Sequence, residues 1–396
     1  MPLTGESSPA SAVQLSEGPS SPAPASLPDN DDILREILLR LPPLPSSLPR
    51  ASAVSKRWRR LVSDPHFARS FRAHHRTPPL LGFFAYHSGT LAFTSALDPP
   101  DRIPPARFTL APRPGRRLCF LGCRHGLALL LDWALLEAVV WDPITGRQHC
   151  IEFPPEFKVD TENYFYNGAV LGPAGDNDGD DRHFRLVLVR AHIQGMLASA
   201  CLYESKSGKW GSITSTAVPS TNLFESSVLV GNALYWLLSR SNDLLKFDLD
   251  RQALTVIQKL AGAANSTDLS CFQVLRTHNG ELGLAVLSEH TLRVWRSIVS
   301  SDGVVRWVLR KTVDLGKLLS LTTGSNTCPA TITGFDEDSN VMFLCTSVDF
   351  FMIQLESMKF TKLLKNTVIY SCYPYTSFYP EGLNPLRDLA KADQTK

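Results

Sequence analysis

Residues 27–76 read LPDNDDILREILLRLPPLPSSLPRASAVSKRWRRLVSDPHFARSFRAHHR, a run of short helical patterns whose apolar faces cannot all be buried within so few residues. The first helix is signalled at both ends. Asp29 or Asn30 supplies a cap, Asp31 and Asp32 sit in the positive first turn, and Pro42-Pro43 stop it. Between them Ile33, Leu34, Ile37, Leu38 and Leu41 recur at helical spacing as one apolar stripe. A second pattern follows the proline-broken PPLPSSLP, with Ala51, Val54, Trp58 and Leu61 expected on a shared face and Ser55 as the point where the helix breaks and is recapped. Asp64-Pro65 opens a last helix, in which Phe67 and Phe71 stand four apart. A segment of about 50 residues buries only about 60% of its unfolded surface, so the leftover stripe implies docking onto another domain or another chain.

The run LPDNDDILREILLRLP, followed by LPRASAVSKRWRRLVSDPHF, closely resembles the F-box, the adaptor-binding module of cullin-RING ubiquitin ligases. The resemblance covers the whole segment. It implies a Skp-type adaptor as partner and, through it, cullin and RING subunits. It also implies an interface that includes Leu27, Pro28, Ile33, Leu34, Ile37, Leu38, Leu41, Val54, Trp58 and Leu61, with some of these serving the module's own small core. The competing reading is a helical cap packed on the downstream domain.

Working outward, residues 1–26 hold seven Ser and five Pro without a basic start and apolar core, which predicts a disordered tail and not a signal peptide. The 396 residues are 43% hydrophobic and 20% charged, as expected of a globular chain with a sizeable core. Net charge is +2, yet residues 28–76 hold ten Lys and Arg against five Asp and Glu, so the basicity is local. Arg57, Arg59 and Arg60 beside Trp58 are read as a solvated face, and no nucleic acid is expected as partner. The oiliest stretch, LALLLDWALLEAVVW, is broken by Asp132 and Glu137 and falls short of the roughly 18 to 20 residues that span a bilayer, so no membrane is expected either. Eight cysteines scattered from Cys119 to Cys372 suit reduced thiols in strands, hence a cytoplasmic or nuclear protein.

Beyond Thr77-Pro78-Pro79 the pattern changes to short strands rich in Val, Leu, Phe, Tyr and Trp, and two kinds alternate five times. The first is an apolar run behind a turn: GLALLL from Gly126, HFRLVLV from His183, NALYWLL from Asn232, ELGLAVLS from Glu281 and NVMFLCT from Asn340. The second pairs an aromatic or aliphatic residue with a polar turn and a returning strand, as in VVWDPITGRQHCIEF and LLKFDLDRQALTVI. Trp141, Tyr203, Phe247, Trp295 and Ile353 mark steps of 62, 44, 48 and 58, close to the roughly 50-residue period of kelch-like blades. With LLGFFAY and LAFTSA as an opening hairpin, the pattern predicts about six four-stranded sheets in a β-propeller, closed by VIYSCYPYTSFY at 368–379.

The expected fold is therefore mainly β with a small all-α N-terminal module. Its parts are a tail over 1–26, the F-box over 27–76, a kelch-like propeller over 77–380 and a C-terminal tail over 381–396. The propeller features GLALLL, VVWDPITG, ITGFDED and YPYTSFY, after the opening TPPLLGFF, resemble the associated domain of grass F-box proteins.

Chemistry-bearing constellations are weak. Cys119, Cys123, His125, His149 and Cys150 lack a CxxC pair for zinc. The DNDGDD loop at 176–181 has Asp181 where a calcium loop needs Gly. Ser207-Gly208-Lys209 lacks phosphate-loop spacing, and GxSxG and HExxH are absent. No cofactor and no catalysis are expected. The expected function is substrate recognition for a Skp-cullin-F-box type ubiquitin ligase, the propeller holding an unknown protein target through loops on one face, including 172–182, 214–224, 261–269 and 318–329. The alternative is a propeller enzyme or carbohydrate-binding module with a helical cap.

Overall fold

In the computed structural model the N-terminal module is four helices: α1 (Asp31–Leu39), α2 (Ser47–Ser52), α3 (Lys56–Val62) and α4 (Pro65–His75). The structure describes residues 30–379 apart from 88, 111–114, 173–182, 195, 220–225, 239–240, 242, 259–271, 289, 300–304, 320–329, 347–348 and 366. Capping is local and follows the sequence signals. The Asn30 side chain accepts from the Asp32 amide at 2.8 Å, Ser55 from Trp58 at 3.2 Å and Asp64 from His66 at 2.9 Å. Leu34, Leu38, Ala51, Leu61, Val62, Phe67 and Phe71 form the module's core.

One expectation fails here. Ala51, Val54, Trp58 and Leu61 do not share a face, because Ser55 adopts an extended conformation between α2 and α3 and resets the helical phase. Ala51 and Leu61 are buried, while Val54 stands in the intervening turn and is exposed.

After the helices the chain is β. Strands β1 (Leu80–His87) and β2 (Thr90–Ser95) form the opening hairpin. The next sheet runs β3 (Leu118–Arg124), β4 (Leu127–Asp132), β5 (Glu137–Trp141) and β6 (Gln148–Glu152) in order. The third holds β7 (Tyr164–Leu171), β8 (Arg185–His192), β9 (Leu197–Glu204), β10 (Lys209–Trp210) and β11 (Thr214–Ala217). The fourth is β12 (Val228–Val230), β13 (Ala233–Leu237), β14 (Leu244–Asp248) and β15 (Ala253–Ile257). The fifth is β16 (Phe272–Arg276), β17 (Leu282–Ser288), β18 (Thr291–Val299) and β19 (Val305–Asp314). The sixth is β20 (Thr331–Asp336), β21 (Val341–Cys345), β22 (Asp349–Gln354) and β23 (Phe360–Lys365). Last, β24 (Cys372–Thr376) returns to pair antiparallel with β1.

This is a six-bladed β-propeller whose first blade, in the order β2-β1-β24, is stitched from both ends of the domain. Among the described residues only four blades have the expected four strands. The first has three. In the third blade the outer strand is split at Gly211–Ile213, so β10 pairs with Tyr203 and Glu204 of β9 while β11 pairs with Leu197–Ala200.

Six apolar cores fill the spaces between neighbouring blades. The joint between last and first is aromatic: Phe83 of β1 packs on Phe343 and Phe350 with ring centroids 5.6 and 5.2 Å away. Each fully buried Phe of this kind contributes about 1.5–3 kcal/mol through area removed from water, so the seam is held mainly by apolar burial.

Candidate adaptor and target surfaces

The sequence stripe of α1 splits in two on the folded module. Ile33 and Ile37 are four residues apart and share one side; Leu34 and Leu38 are rotated about 100° from them and share the next. The second pair is buried at 1% and 0%, whereas Ile33 and Ile37 are 51% and 41% exposed and Val54 is 57% exposed. Leu61 is in the core, and Leu41 and Trp58 pack against it half-buried. Leu27 and Pro28 lie outside the described residues. So large apolar side chains remain on the outside of a module that already has a filled core.

Ion pairs link α3 to α1 beside that surface. Arg57 donates to Asp31 at 2.7 Å with Arg60 at 3.6 Å, and the Arg57 hydrogen bond, opposed by slight desolvation, holds the Asp31 carboxyl below its ordinary value. Two of the three arginines read as a solvated face thus tie α3 to α1. A signal existed in the acidic pair at the head of α1, but the pairing needs the fold.

Among the described residues, the module touches the ring through an apolar contact and a hydrogen bond. Phe378, just past β24, packs on the helical core, and the Ser46 amide donates to Asp101 at 2.8 Å.

At the axis, the C-terminal ends of the innermost strands converge on a buried ion cluster. Arg124 at the end of β3 is paired with Glu337, after β20, and donates to the Ser227 carbonyl at 2.8 Å. The Leu229 amide donates to Glu337 at 2.7 Å, and Arg276 at the end of β16 donates to the Glu337 carbonyl at 2.7 Å and to Asp338 at 2.9 Å. Thr376 of β24 completes the ring by donating to Asp338 at 3.2 Å. Burial pushes the Glu337 carboxyl up, but the charge and hydrogen bond of Arg124, the Leu229 amide and Arg276 together hold it below its ordinary value. Asp336 beside it goes the other way, raised to about 7 by burial and by the neighbouring Asp338 charge.

These contacts define two ends of the ring. At the exit end the innermost strands finish on the ion cluster; β1 starts there too, since Leu80 is in register with Thr376, and so the helical module sits there. At the entry end the innermost strands begin. Cavities along the axis measure about 20 and 70 Å³, far below the roughly 300 Å³ of a typical ligand pocket.

Among the described residues there is no cluster of three or more potential metal ligands. Cys119 and Cys123 lie on β3 and His149 and Cys150 on β6, with two strands between them. Cys150 instead faces the Arg116 guanidinium at 3.7 and 3.8 Å. The loop at 176–181 lies outside the described residues.

The four loops expected on one face divide between the ends. Leu171 and Arg185, bracketing 173–182, stand at the exit end, where the Gly172 amide donates to His125 at 3.1 Å. Of the other three, those leading into β16 and β20 are bracketed at the entry end, whereas the one leading into β12 leaves from there, with the Val218 amide donating to the Met196 carbonyl at 2.8 Å, and returns further along the axis, where Ser226 donates to the Leu121 carbonyl at 2.8 Å. Most residues of three of these loops lie outside the described residues; of the fourth, 214–224, the structure describes 214–219, and Thr214–Ala217 are not loop but strand β11, paired with β9. The reason for the split is parity: each sheet reverses direction at every strand, so a loop after an innermost strand and a loop before one emerge on opposite sides.

An F-box-like helical module followed by a six-bladed ring is the class of protein these elements define. The chain matches the F-box domain over residues 26–70 and "F-box protein AT5G49610-like, beta-propeller" over 119–381. The chain belongs to that plant family of F-box propeller proteins. No curated protein matches it. Among solved structures it is similar to a chain of a nidogen/laminin complex, at 9% identity over 74% of this chain and 97% of that one, with a TM-score of 0.40. A protein of unknown function from Desulfotomaculum acetoxidans gives 10% identity, 76% and 84% coverage and 0.39. A chain of the mitotic checkpoint complex gives 13%, 67% and 72%, and 0.35. With TM-scores below 0.5, none of these bears on function.

Proposed function

We propose that the chain is the substrate-recognition subunit of a Skp-cullin-F-box type ubiquitin ligase. Its helical module docks a Skp-type adaptor, which brings cullin and RING subunits, and its ring holds a protein target near the charged ubiquitin carrier. The chain performs no chemistry itself; it supplies proximity. The carrying observation is that Ile33, Ile37 and Val54 remain exposed on a module whose own core is complete, because amphipathic helices bind partners through such spaced apolar residues. The free, buried thiols of Cys201, Cys345 and Cys372 suit a reducing compartment, cytosolic or nuclear.

The test is co-purification with a Skp-type adaptor. Ile33→Asp/Ile37→Asp should abolish it while the circular dichroism spectrum stays unchanged, since both positions are exposed. Retained adaptor binding by that variant sinks the assignment.

A further inference from the structure

We infer that the target docks on the entry end of the second and third blades, the end away from the F-box, and that its docking segment combines large apolar side chains with Lys or Arg. This rests on the substrate-receptor reading for calling the ligand a target; the surface itself stands on geometry. The β4–β5 turn, the β6-to-β7 connection and the β8–β9 turn all emerge at the entry end, and each exposes an apolar side chain. Leu135 is 52% exposed, Val159 66% and Met196 62%, with Ile193 and Leu197 beside Met196 at 40% and 42%.

Contacts join these segments into one surface. The Phe153 amide donates to the Leu136 carbonyl at 3.0 Å, and the Ile193 amide to Asn163 at 2.8 Å. Underneath, Trp133 packs edge-on against Tyr166 at 5.2 Å, and Tyr164 against His192 at 4.9 Å. A rigid aromatic floor under exposed Leu, Val, Ile and Met is the composition of a protein-binding patch and not of scattered surface residues. The ring's exposed outer-strand residues differ. Val308 and Leu309 of β19 are flanked by exposed Arg306 and Arg310, the charged pattern by which an edge strand resists pairing.

Charge sets the partner's chemistry. Around the patch, Lys158 is engaged by Glu152 at 2.7 Å, and Arg190 lies between Phe157 and Tyr164, 4.4 and 4.2 Å from the ring centroids; Arg117, whose carbonyl accepts from the Trp133 amide at 3.0 Å, is an exposed cation at the Leu135 edge, so the acidic side of the patch is the β6-to-β7 connection. Glu156, Asp160 and Glu162 are left exposed on the connecting segment. An apolar centre with an acidic side complements an apolar segment flanked by cations.

The test pans phage-displayed random short peptides against the full chain and measures the enriched peptides by fluorescence anisotropy. Enriched sequences should pair Leu, Ile, Phe or Met with Lys or Arg. Their binding should weaken as salt rises and fall about tenfold or more in Val159→Asp/Met196→Asp, whose exposed positions leave the fold intact. The Ile33→Asp/Ile37→Asp variant should bind them like the wild type. Acidic or purely polar enriched peptides overturn the proposal, as does binding indifferent to Val159→Asp/Met196→Asp. Self-association of the wild type that this variant abolishes in sedimentation also overturns it, because the patch then serves a second copy. If peptides bind at the patch but no Skp-type adaptor co-purifies, the patch stands and the receptor reading falls.

Discussion

The helical module and the ring solve the burial problem differently. The module seals one small core and leaves isoleucines outside; each blade of the ring has two apolar faces and hands both to its neighbours. Stability and binding therefore sit on adjacent residues in the module. In the ring they separate by position, with cores between the blades and recognition at the ends.

The sharpest way to break this contrast is at the axis, where the ring departs from its apolar rule. Arg124→Met leaves the buried Glu337 carboxylate without its guanidinium and should cost about 3–5 kcal/mol in denaturant unfolding. Adding Glu337→Gln should recover much of that. A cost below about 1 kcal/mol would mean that solvent reaches the cluster.

Next comes the module. Leu38→Ala, at a site with no exposure, should cost about 2–5 kcal/mol of module stability, whereas Ile37→Ala should barely move the unfolding curve yet weaken adaptor binding by tenfold or more. Equal stability losses at the two positions would merge what the fold separates.

A third measurement uses pH. The folded Asp336 carboxyl is raised to about 7 from an ordinary 3.8, so the folded state binds the extra proton between those values. Its stabilising contribution is full below about 4 and is lost as pH rises through about 7, at up to about 1.4 kcal/mol per pH unit. Glu337, held low, contributes in the opposite sense, losing its stabilisation as pH falls below the ordinary carboxylate range. Asp336→Asn should flatten the decline between about pH 5 and 7, measured as denaturation midpoints; an unchanged slope refutes the shift.

The smallest expected effect is at the joint. Phe378→Ala should cost about 1 kcal/mol through lost apolar contact and let the helices unfold before the ring in calorimetry. A single unshifted transition would show that Ser46 and Asp101 suffice to couple them.

The helix starts, the period of the blades and the closing strand were legible in the sequence because each is a local signal: a cap, an apolar run, an aromatic before a turn. The five apolar runs are the second strands, and the turn motifs join third to fourth. The innermost strands escaped the alternation for a physical reason. They line a crowded axis, where β7, β16 and β20 interrupt their apolar residues with Asn and Gly, Gln, or Thr and Gly, and β12 is only three residues long. A Cβ on Gly334 would collide with the Cys372 carbonyl oxygen, and one on Gly168 would lie 2.8 Å from that of Val187. The Arg124–Glu337 pair joins residues 213 positions apart, beyond any local pattern. On α1, helical period found the stripe but not which edge of it the other helices would cover.

The strand that closes the ring is also the last of its described strands to be made. Until Cys372–Thr376 arrive, β1 has only β2 beside it, and the Phe83 seam to the sixth blade is open to water and to other chains. During synthesis the nascent propeller is thus an unlocked arc for almost its whole length. A stop codon shortly before position 372 would leave every other described blade strand in place yet release a protein with a sticky first strand, a natural client for chaperones and for degradation in its own right.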